Sequence, residues 1–349
     1  MKQILLTVVC VVMSLACYGQ QVIAVEKGNV QSLLTAIRQA NAINADEKAE
    51  RTYIIIPDGF YDLGKTVLTQ ITGHNIALIG ESMEGTIIQN APDYENEGIS
   101  KTAIFQNRGT GNYFQDMTLH NDLDYYACGA AGRAVTLHDK GTHTICNRVR
   151  LLSYQDTYYS DNVNCQHYFL DSEIHGTVDF ICGAGDVWFE RCRIVTEKRT
   201  KDGTGRNVIA APRTSKTPWG YIFNRCTIEN KVSDFHYARG WHTVPRCTWL
   251  HTTLLTPEKL QPTRFDEQSM KTVEVDFKEY KTVDAAGNDI TPKSNVVTFK
   301  CEEERKASET ILTDKEAKQF TTSRIFKKWN PVKELKRIER ESQKALKRL

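Results

Sequence analysis

The sequence predicts an all-β fold, a parallel β-helix in which short strands wind into a solenoid with a short capping helix near each end. Three observations lead there. Strand-like runs recur through most of the chain without clear helices between them. Each run closes on an aliphatic anchor, at Leu119, Leu151, Ile174, Ile194, Ile228 and Leu254, and the intervals are 32, 23, 20, 34 and 26 residues. Loops of variable length leaving one side of each coil produce such unequal periods, whereas propeller blades repeat at about 40 residues or more. Lastly, Asp156 and Asp179 each lie five residues after an anchor, so one 23-residue period relates them. An antiparallel sandwich also gives short strands, but it does not explain the shared texture of an aromatic residue, a few polar ones and an aliphatic end.

The chain opens with MKQILLTVVCVVMSLACYGQ: Lys2, an apolar run from Ile4 to Ala16, then small residues. This reads as a secretory signal over residues 1–19, cleaved after Gly19. The run is too short for a membrane-spanning helix, which needs about 20 apolar residues. Ser14-Leu15-Ala16-Cys17 also resembles a lipoprotein signal, which would tether the chain to the outer membrane through Cys17. On either reading the protein is secreted or periplasmic, and residues 20–349 form a single domain with no transmembrane segment. Asn29 caps a helix to Ile43, with Val30, Leu33, Leu34, Ile37 and Ala40 on one face, suited to closing the open end of a β-helix. TYIIIPDGFYDLGKTVLT and HNIALIGESMEGTIIQN then each read as strand, turn, strand.

Cys192 and Cys226 stand two residues before the anchors Ile194 and Ile228, which marks them as equivalent inward rungs. Residues 260–310 are charged and irregular, and read as surface excursions. From residue 330 the tail forms a basic amphipathic helix, with Asn330 as cap and Pro331 in the first turn. Val332, Leu335, Ile338, Leu346 and Leu349 share its apolar face, expected to pack along the solenoid.

The net charge of +2 argues against nucleic acid as a partner, which calls for a basic stripe. The ten cysteines form no C-x-x-C pair and no zinc-spaced cluster with histidine, so neither metal nor cofactor is expected. The chemistry falls instead to the two stacked aspartates. Equivalent positions on successive coils are about 4.8 Å apart. Carboxylates that close cannot both ionise freely, so one becomes a candidate acid and the other a candidate nucleophile or base.

The segments IIIPDGFY, NIALIGES, GRAVTL, YQDTYY, GTVDFICG, YARGW, FKEY and LTDKEAKQFT occur in that order through most of the mature chain, and together they resemble the pectin methylesterase (pectinesterase) family, carbohydrate esterase family 8. The resemblance implies a right-handed parallel β-helix acting as a monomer on methyl-esterified galacturonan. Carried across residue by residue, it makes Asp179 the nucleophile and Asp156 the general acid/base. Gln155 becomes an oxyanion donor and Arg239 the partner of the nucleophile. Tyr159 and Trp241 become aromatic residues of the sugar site. Two positions depart from the family pattern: Arg133 replaces a glutamine that donates to the oxyanion, and Cys182 replaces a phenylalanine that stacks on substrate. An added cation and a lost ring point to a densely charged or branched pectin such as rhamnogalacturonan II. The rivals are a pectate lyase or polygalacturonase on the same scaffold, since glycoside hydrolysis also uses paired carboxylates, and a non-catalytic pectin-binding protein.

Overall fold

The computed structural model describes residues 21–128, 132–213, 218–232 and 234–347. The signal segment with Cys17, and Leu349 of the tail, lie outside the described residues. Strands stack in parallel, coil upon coil, into a parallel β-helix. The anchors read from sequence are register partners: Leu119 pairs with Leu151, Leu151 with Ile174, Ile174 with Ile194, Ile194 with Ile228, and Ile228 with Leu254. Three residues before each anchor the backbone turns through a positive φ, at Asp116, Arg148, Asp171, Arg191, Arg225 and His251. These corners bend each long run into two strands, so one sequence period becomes one coil.

Inside the coil, in-register residues form a continuous ladder: Phe114, Cys146, Phe169, Phe189, Phe223 and Trp249. The rings of Phe189 and Phe223 stack with centroids 4.5 Å apart, and those of Phe223 and Trp249 at 3.9 Å. Each fully buried aromatic side chain is worth roughly 1.5–3 kcal/mol in removed apolar surface, and stacking along the axis fixes the register. Cys192 and Cys226 are buried neighbours on adjacent coils, as their spacing predicts.

Helix α1 (Val30–Ile43) starts where Asn29 accepts a hydrogen bond from the Ser32 backbone, and it buries Leu33, Ala36, Ile37 and Ala40 against the core. The C-terminal segment forms α2 (Asp314–Ala317), α3 (Thr322–Phe326) and α4 (Pro331–Leu346), which cover the outer face of the largest sheet. The buried stripe of α4 is Pro331, Leu335, Ile338, Ser342 and Ala345. Val332 and Leu346, expected on that stripe, are exposed. Each is one position, about 100° of helix, away from the stripe. Counting apolar residues favours Leu346, but the contact is made by the small neighbour Ala345, which lets the helix lie close. Polar pairs fasten the rest: Arg51 to Glu334 at 3.1 Å, Tyr53 Oη to Glu341 at 2.8 Å, and Asn147 Nδ2 to Glu339 at 3.0 Å.

Residues 260–310 are not mere excursions. Asp276–Tyr280 forms another parallel rung beside Arg246–Leu250, and Val296–Lys300 pairs antiparallel with Arg305–Glu309. Their charged residues alternate with Phe277 and Phe299, both fully buried, so the strand period was present beneath the charge.

Candidate active site

The second sheet has seven parallel strands, from Thr69–Ile71 at one edge to Asp234–Ala238 at the other. Its outer face carries the candidate residues. Tyr158–Ser160 pairs with Val178–Gly183, aligning Tyr159 with Cys182, which is again a 23-residue step. Asp156 and Asp179 lead into these two strands at equivalent points. Both adopt left-handed backbone, φ 59° and 53°, a conformation that aspartate tolerates better than most residues because its short polar side chain bonds locally. The Asp156 N–H donates to the Val178 carbonyl, tying the two turns together.

Arg239 follows the strand Asp234–Ala238, in which Ala238 is in register with Ala210 and, one coil earlier, Ile181. It therefore starts two rungs from Asp179, about 10 Å at the strand spacing, and its long side chain reaches back across. Nε donates to Asp179 Oδ1 at 2.8 Å and a terminal nitrogen donates to Oδ2, giving a two-pronged clamp. Burial favours the neutral guanidine, but the charge of Asp179 and its hydrogen bonds outweigh this and raise the Arg239 pKa. The Asp156 carboxyl is pushed well above the usual carboxylate range, first by burial and then by the negative charge of Asp179, against smaller pulls from Arg133 and Arg239. One acid is thus clamped by a cation while its neighbour is driven to keep its proton. The pair opens into a cleft of about 190 Å³, lined also by Ile99, Arg133, Gln155, Cys182, Ala211, Arg239, Trp241 and Met270.

The remaining sequence-derived candidates divide. Gln155 and Trp241 line the cleft. Gln155 stands in register with Arg133, and its carbonyl accepts from the Ala134 N–H at 2.9 Å. Arg133 lines the cleft too, but Glu97 holds its guanidinium at 2.8 and 2.6 Å. Cys182 is buried beside the acids, and its thiol donates to the Tyr158 carbonyl at 3.6 Å. Burial first, and then the neighbouring acids, push its pKa well up and keep it a thiol. Tyr159 sits one step back: its ring stacks on His138 at 4.7 Å and its hydroxyl donates to Asp161 at 2.8 Å.

Sequence reasoning missed Glu97, Asp161, Lys140 and Arg213. Lys140 Nζ donates to Asp161 Oδ2 at 2.8 Å, and Arg213 bonds Oδ1. The signal for the first pair was available, because Lys140 precedes Asp161 by 21 residues, the same step that puts His138 beside Tyr159. Nothing comparable marked Glu97, which reaches Arg133 from an irregular loop. A larger cavity, about 770 Å³, lies elsewhere, between the C-terminal helices and the big sheet; among its acids, Asp171 is engaged by Arg191, Glu190 by Trp188, Asn224 and Arg225, Asp314 by Tyr280 and Glu339 by Asn147.

The sequence model of the Pectinesterase family matches residues 21–329. The chain belongs to the pectinesterase family. Curated relatives include probable pectinesterase/pectinesterase inhibitor 19 of Arabidopsis thaliana, 30% identical over 196 residues, which are 56% of this chain and 36% of that protein. Pectinesterase 3 of Solanum lycopersicum is 29% identical over 184 residues, 53% of this chain and 31% of its own length. The matched part thus spans about a third of these pectinesterase relatives. Among solved structures, pectin methylesterase PemA from Erwinia chrysanthemi aligns with TM-score 0.66 at 21% identity, covering 90% of this chain and 99% of that one. Pectin methylesterase from carrot aligns with TM-score 0.66 at 21% identity over 89% and 94% of the two chains. A pectin methylesterase in complex with a hexasaccharide aligns with TM-score 0.62 at 22% identity over 84% and 93%. These structures share the fold.

Proposed function

We propose that this protein is a pectin methylesterase that hydrolyses the C6 methyl ester of galacturonosyl units, releasing methanol. The observation that carries the reading is the clamp of Arg239 on Asp179 with a proton-holding Asp156 one rung away in an open cleft. Asp179, held and aimed by the guanidinium fork, attacks the ester carbonyl and forms a C–O bond. The resulting oxyanion is met by the Gln155 amide, a donor of the kind worth a few kcal/mol in such sites. Collapse breaks the bond to the methoxy group, and the Asp156 proton leaves with it as methanol. Asp156, now a carboxylate, takes a proton from water, whose hydroxide attacks the mixed anhydride; Asp179 departs and Asp156 is reprotonated. Trp241 offers an apolar wall for a sugar ring. A pectin methylesterase of the same fold, solved in complex with a hexasaccharide, supports an oligomeric sugar as the substrate. With its guanidinium held by Glu97, Arg133 brings no uncompensated charge, so the expectation of a branched or densely charged pectin loses the cation it rested on.

The leader over residues 1–19 supports export, soluble after cleavage at Gly19 or tethered through Cys17. The product decides the function. Incubation with methyl-esterified pectin is expected to release methanol, with no unsaturated sugar and no new reducing ends. An unsaturated product would mean a lyase, new reducing ends a glycosidase, and binding without turnover a carrier.

A further inference from the structure

The family match ends at Trp329, and α4 lies beyond it. The side chains of this helix divide by angle, at about 100° per residue. Its apolar stripe faces the big sheet. The acids Glu334, Glu339 and Glu341 flank that stripe, and each is spent on the protein itself. Glu334 bonds Arg51 and Arg337, Glu341 bonds Tyr53 and Arg337, and Glu339 bonds Asn147 and Arg148. The cations Lys333, Lys336, Arg337, Arg340, Lys344 and Lys347 fall within an arc of about 100° on the opposite side, and all six are exposed. Of these, Arg337 alone has an ion-pair partner among the described residues.

The start of this face is shaped as well as charged. A hollow of about 690 Å³ is lined there by Lys328, Lys333, Lys336 and Arg340 around the half-buried indole of Trp329. The one acid in that lining, Glu334, is already shared by Arg51 and Arg337. Trp329 is fixed in place by His143, stacked at 4.8 Å, and by the edge of Phe326 at 5.0 Å. Unpaired cations beside a held aromatic wall suit a ligand that is anionic and has an apolar ring face, which describes a sugar acid. A lipid surface suits this helix less. A helix lying in a membrane interface buries its apolar face there, and the apolar face of α4 is already occupied by the sheet.

Resting on the esterase reading for the source of its ligand, we propose that the outward face of α4 and the hollow at Trp329 form a docking surface for a polyuronate, the de-esterified galacturonan that the reaction leaves behind. Such a chain carries one carboxylate per sugar ring. Lys333, Lys336, Arg340 and Lys344 follow one another at about 4.5–6 Å along the helix axis, so several carboxylates meet a cation at once. A fully methyl-esterified chain offers no charge and is not held. Because α4 packs on the big sheet and the cleft opens on the other, the surface retains the polymer without touching the reacting atoms.

The test measures binding of the full chain to unesterified polygalacturonate. It compares wild type, a triple variant with Lys333→Gln, Arg340→Gln and Lys344→Gln, and a double variant with Lys333→Arg and Lys344→Arg. Glutamine matches lysine and arginine closely in helix propensity, and these positions face away from the sheet. Neutralisation should weaken binding about tenfold or more at low ionic strength, and salt at about 1 M should erase the difference. The charge-conserving variant should bind like wild type. Methanol release from a short methyl-esterified oligogalacturonide should keep its kcat/KM within about twofold in every variant. If the triple variant fails to fold, Lys344→Gln alone should show a smaller loss of the same kind. Equal binding by wild type and the neutralised proteins would overturn the docking surface. So would undiminished binding to fully methyl-esterified pectin, or tighter binding to phosphatidylglycerol vesicles than to polygalacturonate. No methanol release by wild type would overturn the esterase reading alone, because the binding measurement involves no turnover.

Discussion

Asp179 and Glu279 are both buried carboxylates paired with a guanidinium, and only the first reads as a site. Asp179 and Arg239 face a cleft, with Asp156 stacked alongside. Glu279 and Arg264 lie near the C-terminal end of the coil, where Glu279 continues the interior ladder after Trp249 and is wholly buried. Arg264 donates to it at 3.0 Å, and burial raises the Glu279 pKa despite that partner. Inside the coil the cation serves only to make a charged group tolerable. On the outer face the same pairing leaves room for a ligand and charges the neighbouring acid's surroundings. A perturbed carboxyl is therefore a poor guide alone; the second acid and the opening make the difference.

Substitutions can break this comparison at several strengths. Asp179→Ala should reduce methanol release by about 10⁴-fold or more, since no other group supplies the nucleophile, whereas Glu279→Gln should leave turnover per folded molecule unchanged. Similar activity losses in the two variants would erase the distinction. Asp156→Asn should cost about 10²–10⁴-fold. Because Asp156 must carry its proton for methanol to leave, wild-type kcat/KM should fall as pH rises through its raised pKa, a limb lying above the ordinary carboxylate value of about 4.

The same shift has a sign for stability. A carboxyl whose folded pKa is raised contributes fully below its unfolded value of about 4 and loses that contribution as pH climbs through the folded one. Asparagine does not titrate, so Asp156→Asn should be the more stable protein at neutral pH and lose this advantage in acid. Urea unfolding at two pH values measures it, and a variant less stable than wild type at pH 7 would contradict the buried, proton-holding acid.

Glu279→Ala strands Arg264 in the interior and should lower stability by roughly 3–5 kcal/mol with little effect on kcat. Smaller still, Ile338→Ala on α4 should cost about 2–5 kcal/mol at the upper limit set by cavity formation. It too should leave kcat/KM intact, because α4 packs on a different sheet from the cleft. A fall in activity without unfolding would link the two faces.

What the sequence carried was the part governed by repetition. Anchors from Leu119 to Leu254 follow from one period per coil, and the structure realises each as a register pair; the same period puts Asp156 and Asp179 at the turns that lead into the paired strands at Tyr158 and Ile181. What it did not carry depends on loops and on helix phase. Glu97 reaches Arg133 from outside any strand, so no period places it, and Arg133 looked like a free cation. Asp161 and Lys140 obeyed the repeat but had no chemistry to draw attention to them. The charged coil at 276–280 was hidden because Glu279 points inward, where strand patterns call for apolar residues. On α4 the stripe runs through Ser342 and Ala345, which apolar counting passes over in favour of Leu346.

The most direct measurement is a carbon-13 NMR titration of the Asp156 carboxyl, in wild type and in Asp179→Asn. The account predicts a proton held well above pH 4 in wild type, released at lower pH once the Asp179 charge is removed, yet still above the ordinary value because burial remains. Titration near pH 4 in both proteins, with no response to Asp179, would contradict it.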